Sequence, residues 1–368
     1  MTIEKQKIVE ALRTVKDPAT GQEIIRMRMV ENLQVEGNNI SFTLVLPSLN
    51  SPVKSQLHFA CIGVIGELYP QAEVHVHMKA QSGGQRKSSS PVPHIRNIIA
   101  IGSGKGGVGK STVAVNLALG LKKLGARVGL MDTDLYGPSI PTMLGLQGQR
   151  PKIQNDPYGQ AKIIPIEKYG IPTLSIGYII EKEAAVVLRG PRLGAIIQQF
   201  FRDCLWPDLD FLILDLPPGT GDIQLTLVQT VPITGAILVT TPQEVALADA
   251  IKAMNMFQLP NIGVPILGVV ENMAWFTPKE LPKNKYYLFG KNGGKKLAKL
   301  AQSMLLGQVP IVQEIREAGD EGKPAVLGDE PIIAKAFEKI TKNVARQTAI
   351  RNEMLAPTQV VHMNNSPS

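Results

Sequence analysis

Cysteine and aromatic residues are scarce in this chain of 368 residues, which has two cysteines, Cys61 and Cys204, and 5% aromatic residues. Two cysteines without disulfide-type spacing exclude a disulfide-rich scaffold and indicate a reducing compartment. No apolar run reaches the length of a membrane-spanning helix, and the polar N-terminus lacks the apolar region of a signal peptide. We therefore expect a cytoplasmic protein without a membrane partner. Its 44% hydrophobic residues suffice for one large domain and one small domain.

The net charge of the chain is +8, and part of it comes from lysines that are concentrated in the segment 279–299. Such clusters can bind nucleic acid, but they are also typical of a solvated loop and helix face. The sequence contains no zinc-finger spacing and no aromatic platform for stacked bases. A nucleic-acid partner is therefore not expected. The lysines are Lys279, Lys283, Lys285, Lys291, Lys295, Lys296 and Lys299.

Glycine, in contrast, is concentrated in one short segment that has the pattern of a phosphate-binding loop. The segment 104–111 reads GKGGVGKS and satisfies the phosphate-loop pattern G-x-x-x-x-G-K-[ST]. An apolar run at 98–101 predicts a buried strand before the loop, and 112–124 predicts a helix after it. Strand, loop and helix N-terminus direct backbone N–H groups towards phosphate oxygens. We predict a nucleotide site formed by Gly104, Lys105, Gly106, Gly107, Val108, Gly109, Lys110, Ser111 and Thr112.

Within this loop, Lys110 is expected to contact the β- and γ-phosphates, and the Ser111 hydroxyl is expected to bind Mg²⁺. Two further apolar runs, at 128–131 and 211–214, predict strands that end in aspartates. Carboxylates at the carboxyl ends of parallel strands lie where ligands bind in open α/β sheets. Asp132 and Asp215 are therefore predicted to hold Mg²⁺ directly or through water. Gly219, which lacks a Cβ, can bring its N–H close to a γ-phosphate.

Lys105, the lysine directly after the first glycine of the loop, points to a smaller group within the phosphate-loop proteins. The motif G-K-G-G-V-G-K-S resembles the deviant loop of dimeric ATPases such as the nitrogenase iron protein, arsenite-pump ATPases and the Min/Par proteins. The resemblance implies a homodimer in which Lys105 reaches the partner's nucleotide. It also implies that Asp134 orients the attacking water. A solvated loop lysine, and helix-capping roles for Asp132 and Asp134, remain alternatives.

Four further segments, 132–139, 215–222, 240–243 and 271–273, resemble one subfamily, the Mrp/ApbC group of iron–sulfur cluster carrier ATPases. The resemblance covers about residues 95 to 335. It implies that Asn272, after a predicted strand at 265–270, recognises adenine, although a turn-forming Asn is the alternative. It further implies ATP and Mg as cofactors, a [4Fe–4S] cluster as cargo, and assembly proteins and apoprotein clients as partners. Lys105, Lys110 and Asp134 are the catalytic residues that it implies.

The sequence departs from this family where its cluster ligands should stand. The carriers have a C-x-x-C pair after the Glu-Asn-Met segment, whereas no cysteine follows position 204 here. The cluster ligands are therefore unknown, and Cys61 and Cys204 are predicted to be small core hydrophobes. His75 and His77, with His58 nearby, could bind a metal, but an exposed pair is the commoner arrangement. The segment 286–289 could form an aromatic contact surface, or could pack beneath the lysine-rich loop.

The first eighty residues resemble the small metal-sulfur cluster biosynthesis domain that precedes Mrp ATPases, without its Gly-Cys-Pro turn. They predict a helix from residue 8 that stops near Asp17-Pro18, strands at 39–46 and 72–78, and a helix at 52–68. We predict a small α+β domain at 1–79, a flexible linker at 80–94, an α/β P-loop NTPase domain with a mostly parallel, doubly wound sheet at 95–346, and a disordered tail at 347–368.

The predicted function is ATP binding and hydrolysis by an iron–sulfur cluster carrier that delivers clusters to apoproteins. Two alternatives remain open. The missing cysteines favour a nucleotide-gated scaffold or chaperone that holds no cluster itself. A Par/Min-like positioning ATPase is the other alternative, although the C-terminus lacks the basic amphipathic helix that membrane docking requires.

Overall fold

The structure is a computed structural model that divides into two compact units, residues 1–87 and residues 88–368. Residues 3–18, 21–27, 29–46, 54–80, 92, 94–134, 137–155, 160–179, 190–221, 224–225, 231–260, 262–278, 280–281 and 283–355 are described. None of the helices within these ranges combines the length and the apolar character that crossing a membrane requires.

The small unit packs two helices against a three-stranded sheet. Its elements are α1 (Lys5–Arg13), β1 (Val30–Glu36), β2 (Asn39–Leu46), α2 (Lys54–Leu68) and β3 (Glu73–Ala80). The strand order is β1-β2-β3, with β1 antiparallel and β3 parallel to β2. The inward-facing side chains of β2 join α1 and α2 in one core. The predicted helices and strands are found, and β1 is an additional strand whose exposed, polar pattern gave little signal.

The large unit is built on an eight-stranded sheet. Its central strands are β4 (Ile95–Gly102), β5 (Val128–Asp132), β10 (Leu209–Asp215), β11 (Gly235–Thr240) and β12 (Ile266–Glu271). Its outer strands are β8 (Ile166–Lys168), β9 (Ile171–Ser175) and β13 (Leu305–Gln308). A separate hairpin consists of β6 (Lys152–Asn155) and β7 (Ala161–Ile164). The strand order is β13-β12-β11-β4-β10-β5-β9-β8, and only β8 runs antiparallel to its neighbour.

Helices cover both faces of this sheet. They are α3 (Lys110–Lys123), α4 (Ile140–Met143), α5 (Gly190–Asp203), α6 (Glu244–Gln258), α7 (Gly293–Leu300), α8 (Gln313–Asp320) and α9 (Pro331–Met354). Along β4, Ile98 and Ala100 enter one hydrophobic cluster, while Ile99 and Ile101 enter the other. Because side chains alternate across a strand, an unbroken apolar run fits a strand buried on both faces. The predicted doubly wound, mostly parallel α/β fold is confirmed.

The predicted domain boundary at 346 falls inside a helix. α9 continues to Met354, and Thr348 is buried with its hydroxyl donating to the Val344 carbonyl at 2.9 Å. No glycine or proline interrupts the segment before Pro357, so the helix has no reason to end at 346. The rest of the predicted tail, 356–368, lies outside the described residues. So does most of the predicted linker, whose first residue, Ala80, belongs to β3.

Candidate functional site

The candidate site lies at the carboxyl edge of the sheet, where the ends of the parallel strands meet. The loop between β4 and α3 takes left-handed backbone conformations at Gly107, with φ of 80°, and at Gly109, with φ of 81°. A Cβ at Gly104 would lie 2.0 Å from the backbone of Asp249 in α6. These positions therefore require glycine, both for the turn and for close packing. The loop leads directly into α3 at Lys110, so the helix N-terminus faces the site.

Lys110 is buried and pairs with two carboxylates. Its Nζ lies 2.6 Å from Asp215 Oδ1 and 3.7 Å from Asp134 Oδ2. It also lies 3.3 Å from the Ser111 hydroxyl. The predicted phosphate-binding lysine and the predicted metal-binding aspartate are therefore brought into direct contact. A ligand can bind to either residue only if the ion pair between Lys110 and Asp215 breaks.

Asp215 ends β10 and has no exposed surface. The Ser111 hydroxyl donates to its Oδ2 at 2.5 Å, and the backbone N–H and hydroxyl of Thr133 both donate to its carbonyl oxygen. Burial raises the pKa of Asp215 above its ordinary value, while Lys110 and Ser111 oppose that shift by favouring the charged form. A serine hydroxyl beside a carboxylate is a set of hard oxygen donors, and it fits Mg²⁺.

Asp132 ends β5 beside Asp215, and it too has no exposed surface. Its Oδ1 accepts the backbone N–H of Asp134 at 3.0 Å, and its Oδ2 accepts the hydroxyl of Ser175 at 2.9 Å. Burial, reinforced by the nearby Asp215, raises the pKa of Asp132 to about 8. Each carboxyl oxygen thus accepts one hydrogen bond within the protein, which fixes the orientation of the group. Ser175 follows no recognisable motif, and only its pairing with Asp132 across β5 and β9 reveals it.

A cavity of about 360 Å³ opens between the loop and Asp134. Asp134 is held by a hydrogen bond from the Gly137 N–H to its Oδ1 at 3.2 Å. Lys105 also lines the cavity, and its ammonium forms no ion pair with any described residue. The other lining residues are Ser103, Gly106, Gly107, Gly109, Lys110, Ser111, Thr112, Gly137, Ser139, Met143 and Pro218. Cations and backbone N–H groups around a cavity of this kind suit an anion.

Gly219 does not present a free N–H in this structure. It adopts a φ of 94°, and its N–H donates to the Ser103 carbonyl at 2.9 Å. The carbonyl groups of Pro217 and Gly219 are both bound by the side-chain amide of Gln224. The predicted approach of this N–H to a phosphate would therefore require the bond to Ser103 to open.

A second cavity, of about 710 Å³, shares Gly109 and Thr112 with the first and contains Asn272. The backbone N–H of Asn272 donates to the Thr240 carbonyl at 2.8 Å, and its Nδ2 donates to the Val108 carbonyl at 2.9 Å. The side-chain amide is thereby oriented, and Oδ1 is the atom left for a ligand. A carbonyl oxygen in this position accepts a hydrogen bond from an exocyclic amine such as that of adenine.

The two cysteines do not form a ligand set. Cys61 is buried in the small unit and Cys204 in the large unit. Burial raises the pKa of the Cys61 thiol to about 12 and also raises that of Cys204. His75 and His77 point to solvent from β3, and the described residues contain no group of three or more His, Cys, Asp and Glu side chains placed to hold a metal. Thiolate is the form that binds iron, so neither buried cysteine is prepared as a ligand.

The segment after Asn272 forms an exposed aromatic turn. Phe276 and Tyr286 exchange backbone hydrogen bonds at 2.8 Å, and Tyr286, Tyr287 and Leu288 are exposed. The ammonium of Lys285 lies 4.0 Å from the centre of the Trp275 ring system. Tyr286, Tyr287 and Leu288 therefore lie at the surface, and the ammonium of Lys291 lies 4.1 Å from the centre of the Tyr287 ring.

Fold and site together define a P-loop NTPase. Residues 94–345 match the family model of the NUBPL iron-transfer P-loop NTPase, and residues 5–77 match that of an iron–sulfur cluster assembly protein. The chain belongs to this NUBPL-type family of iron-transfer P-loop NTPases. The resemblance to iron–sulfur carrier ATPases that its motifs predicted is confirmed.

Individual relatives agree with this assignment over most of the chain. It is 43% identical, over 93% of its own length and 97% of the relative's, to an iron–sulfur cluster carrier protein of Synechocystis sp.. Among solved structures, a nucleotide-binding protein in complex with ADP from Archaeoglobus fulgidus matches with a TM-score of 0.56 and 32% identity, over 67% of this chain and 96% of that one. The MinD protein of Pyrococcus horikoshii, complexed with Mg-ADP, matches with a TM-score of 0.52 and 25% identity, over 71% and 100%.

Proposed function

We propose that this protein binds and hydrolyses Mg·ATP and carries iron–sulfur clusters to apoproteins, acting as a homodimer in the cytoplasm. The observation that carries the nucleotide part is the contact of Lys110, Ser111 and Asp215 beneath a glycine loop. The cargo is supported by the carrier and transfer relatives and by the family of the small unit. A homodimer is supported by the deviant loop lysine, and a reducing compartment by the two free thiols.

Nucleotide binding in this site is an exchange of partners. Lys110 releases Asp215 and binds the β- and γ-phosphate oxygens. Asp215 and the Ser111 hydroxyl are the groups that would hold Mg²⁺ once the ammonium has left. The metal supplies charge neutralisation on the phosphates. Asn272 Oδ1 accepts a hydrogen bond from the exocyclic amine of adenine, and the second cavity holds the base.

Hydrolysis requires a water molecule in line with the γ-phosphate. Asp134 is placed for this role because its carboxylate lines the smaller cavity opposite the loop. The water oxygen forms the new bond to phosphorus while the bond to the β-phosphate oxygen breaks, which releases ADP and phosphate. Lys105 approaches the nucleotide of the partner subunit, where a cation stabilises the charge that develops on the transferring group.

Cluster carriage is tested by anaerobic reconstitution with iron and sulfide, followed by iron counting and transfer to an apo-enzyme that needs a [4Fe–4S] cluster. We expect transfer that depends on Mg·ATP and is lost in Lys110→Ala. Because no C-x-x-C pair exists and both cysteines are buried, the cluster is expected to be labile on this protein. Failure of the wild-type protein to accelerate transfer in the presence of Mg·ATP would contradict the carrier role.

The burial of both cysteines specifically favours a second candidate, a nucleotide-gated scaffold that organises assembly proteins without holding a cluster itself. In that case Mg·ATP would stimulate transfer only when a separate cluster donor is present. The reconstituted protein alone would contain no stoichiometric iron. A cluster of about four irons per dimer that is lost in Cys61→Ala or in Cys204→Ala would exclude the scaffold and identify a ligand.

A further inference from the structure

The outer wall of the larger cavity is formed by α8, a helix of eight residues, none of which is buried. Four of its residues line the cavity: Ile315, Arg316, Gly319 and Asp320. Their spacing, two adjacent pairs four residues apart, places them on one face of the helix. This face therefore contacts whatever part of a ligand occupies the cavity.

Arg316 is the one cationic side chain among the described residues that line this cavity. One of its terminal nitrogens, Nη1, lies 3.0 Å from Asp320 Oδ2, and the other, Nη2, lies 3.2 Å from Glu317 Oε1. Two carboxylates thus contact the edge of the guanidinium. The flat faces of the guanidinium remain available for contact with a ligand.

The phosphates have a cationic site elsewhere. Lys105 and Lys110 line the smaller cavity and not the larger one. The remaining walls of the larger cavity are mostly apolar and include Met143, Met273 and Val312. An apolar slot with one planar cation at its edge matches the flat ring of a nucleobase, because guanidinium groups stack on aromatic faces.

We propose that Arg316 is a base-binding residue that stacks on the base of the bound nucleotide, with Asp320 and Glu317 as its ion-pair partners. This role rests on the proposed binding of ATP. It separates recognition of the base, at Asn272 and Arg316, from recognition of the phosphates, at the loop. α8 then forms the outer wall of a cavity that is filled when the nucleotide binds.

The test compares two ligands that share phosphates and differ in the base. Dissociation constants of Mg·ATP and of magnesium tripolyphosphate are measured by calorimetry for the wild type, Arg316→Ala and Arg316→Lys. Loss of the stacked guanidinium should weaken ATP binding by about fivefold and leave tripolyphosphate binding unchanged. Arg316→Lys should behave like Arg316→Ala, because lysine restores the charge but not the planar face.

Gln313→Ala is the matched control, since Gln313 lies on the same helix, bonds Glu317 at 2.6 Å and does not line the cavity. It should leave both affinities unchanged. Equal loss of ATP and tripolyphosphate in Arg316→Ala, an unchanged ATP affinity, or full retention of ATP affinity in Arg316→Lys would each overturn the stacking role. Failure of the wild type to bind either ligand would instead overturn the proposed nucleotide site.

Discussion

Replacing Asp132 by asparagine should remove a pH dependence of stability from the large unit. Burial raises the pKa of Asp132 from its ordinary value of 3.8 to about 8. Between these two values the folded protein keeps a proton that the unfolded chain has released. Stability from this group is therefore lost as the pH rises towards the folded pKa, at up to about 1.4 kcal/mol per pH unit. Asparagine carries no titrating proton and lacks this dependence.

The substitution preserves the local hydrogen bonds. The asparagine Oδ1 can accept the Asp134 N–H, and its Nδ2 can donate to the Ser175 hydroxyl in place of the bond that runs the other way now. Between about pH 5 and pH 7, the free energy of unfolding of Asp132→Asn relative to the wild type should rise by about 3 kcal/mol.

Denaturant unfolding of the nucleotide-free protein in a chelating buffer measures this difference. Both tryptophans, Trp206 and Trp275, lie in the large unit, so their fluorescence follows that unit alone. Ser175→Ala is the control, since it removes one hydrogen bond but leaves the carboxyl group, and it should retain the pH dependence. A stability difference between Asp132→Asn and the wild type that stays constant from about pH 5 to pH 7 would refute the argument.

Three further outcomes follow from the site. Lys110→Ala should abolish ATP binding, whereas Asp134→Ala should bind ATP and lose hydrolysis; turnover by Asp134→Ala at the wild-type rate would contradict its role. Lys105→Ala should bind ATP but turn over slowly, and mixing it with Lys110→Ala should restore activity in confirmed heterodimers if Lys105 acts in trans. Asn272→Asp should weaken the binding of both ATP and tripolyphosphate about tenfold, because a carboxylate would face the Val108 carbonyl within the phosphate loop.

The sequence predicted the parts of the site that depend on local pattern. The glycines of the loop are required by left-handed conformations and by the close approach of α6, and such requirements are visible in one short segment. The apolar runs before Asp132 and Asp215 likewise marked the strands that place these carboxylates side by side. A local pattern was enough to predict that these distant carboxylates lie together, because a parallel sheet brings the carboxyl ends of its strands to one edge.

Other features depend on register between distant segments, which periodicity does not reveal. Ser175 lies 43 residues from Asp132 and meets it only because β5 and β9 pair in one register. Asn272 was predicted to recognise adenine, but the orientation of its amide is set by the Val108 carbonyl, 164 residues away. The predicted domain boundary at 346 falls within α9, because the sequence pattern alone does not show that Thr348 packs inside.

The charges around Lys110 also indicate which form of the nucleotide the site can accept. Two carboxylates, at Asp134 and Asp215, lie near the buried ammonium of Lys110, and Asp132 beside them keeps its proton below a pKa of about 8. A triphosphate that took Lys110 for itself would leave Asp215 buried without a cationic partner, which is strongly unfavourable. A divalent cation that arrives with the phosphates replaces the ammonium at Asp215 and adds one further positive charge. Metal and nucleotide binding are therefore coupled in this site, and Mg·ATP, not free ATP, is the species that its buried charges favour.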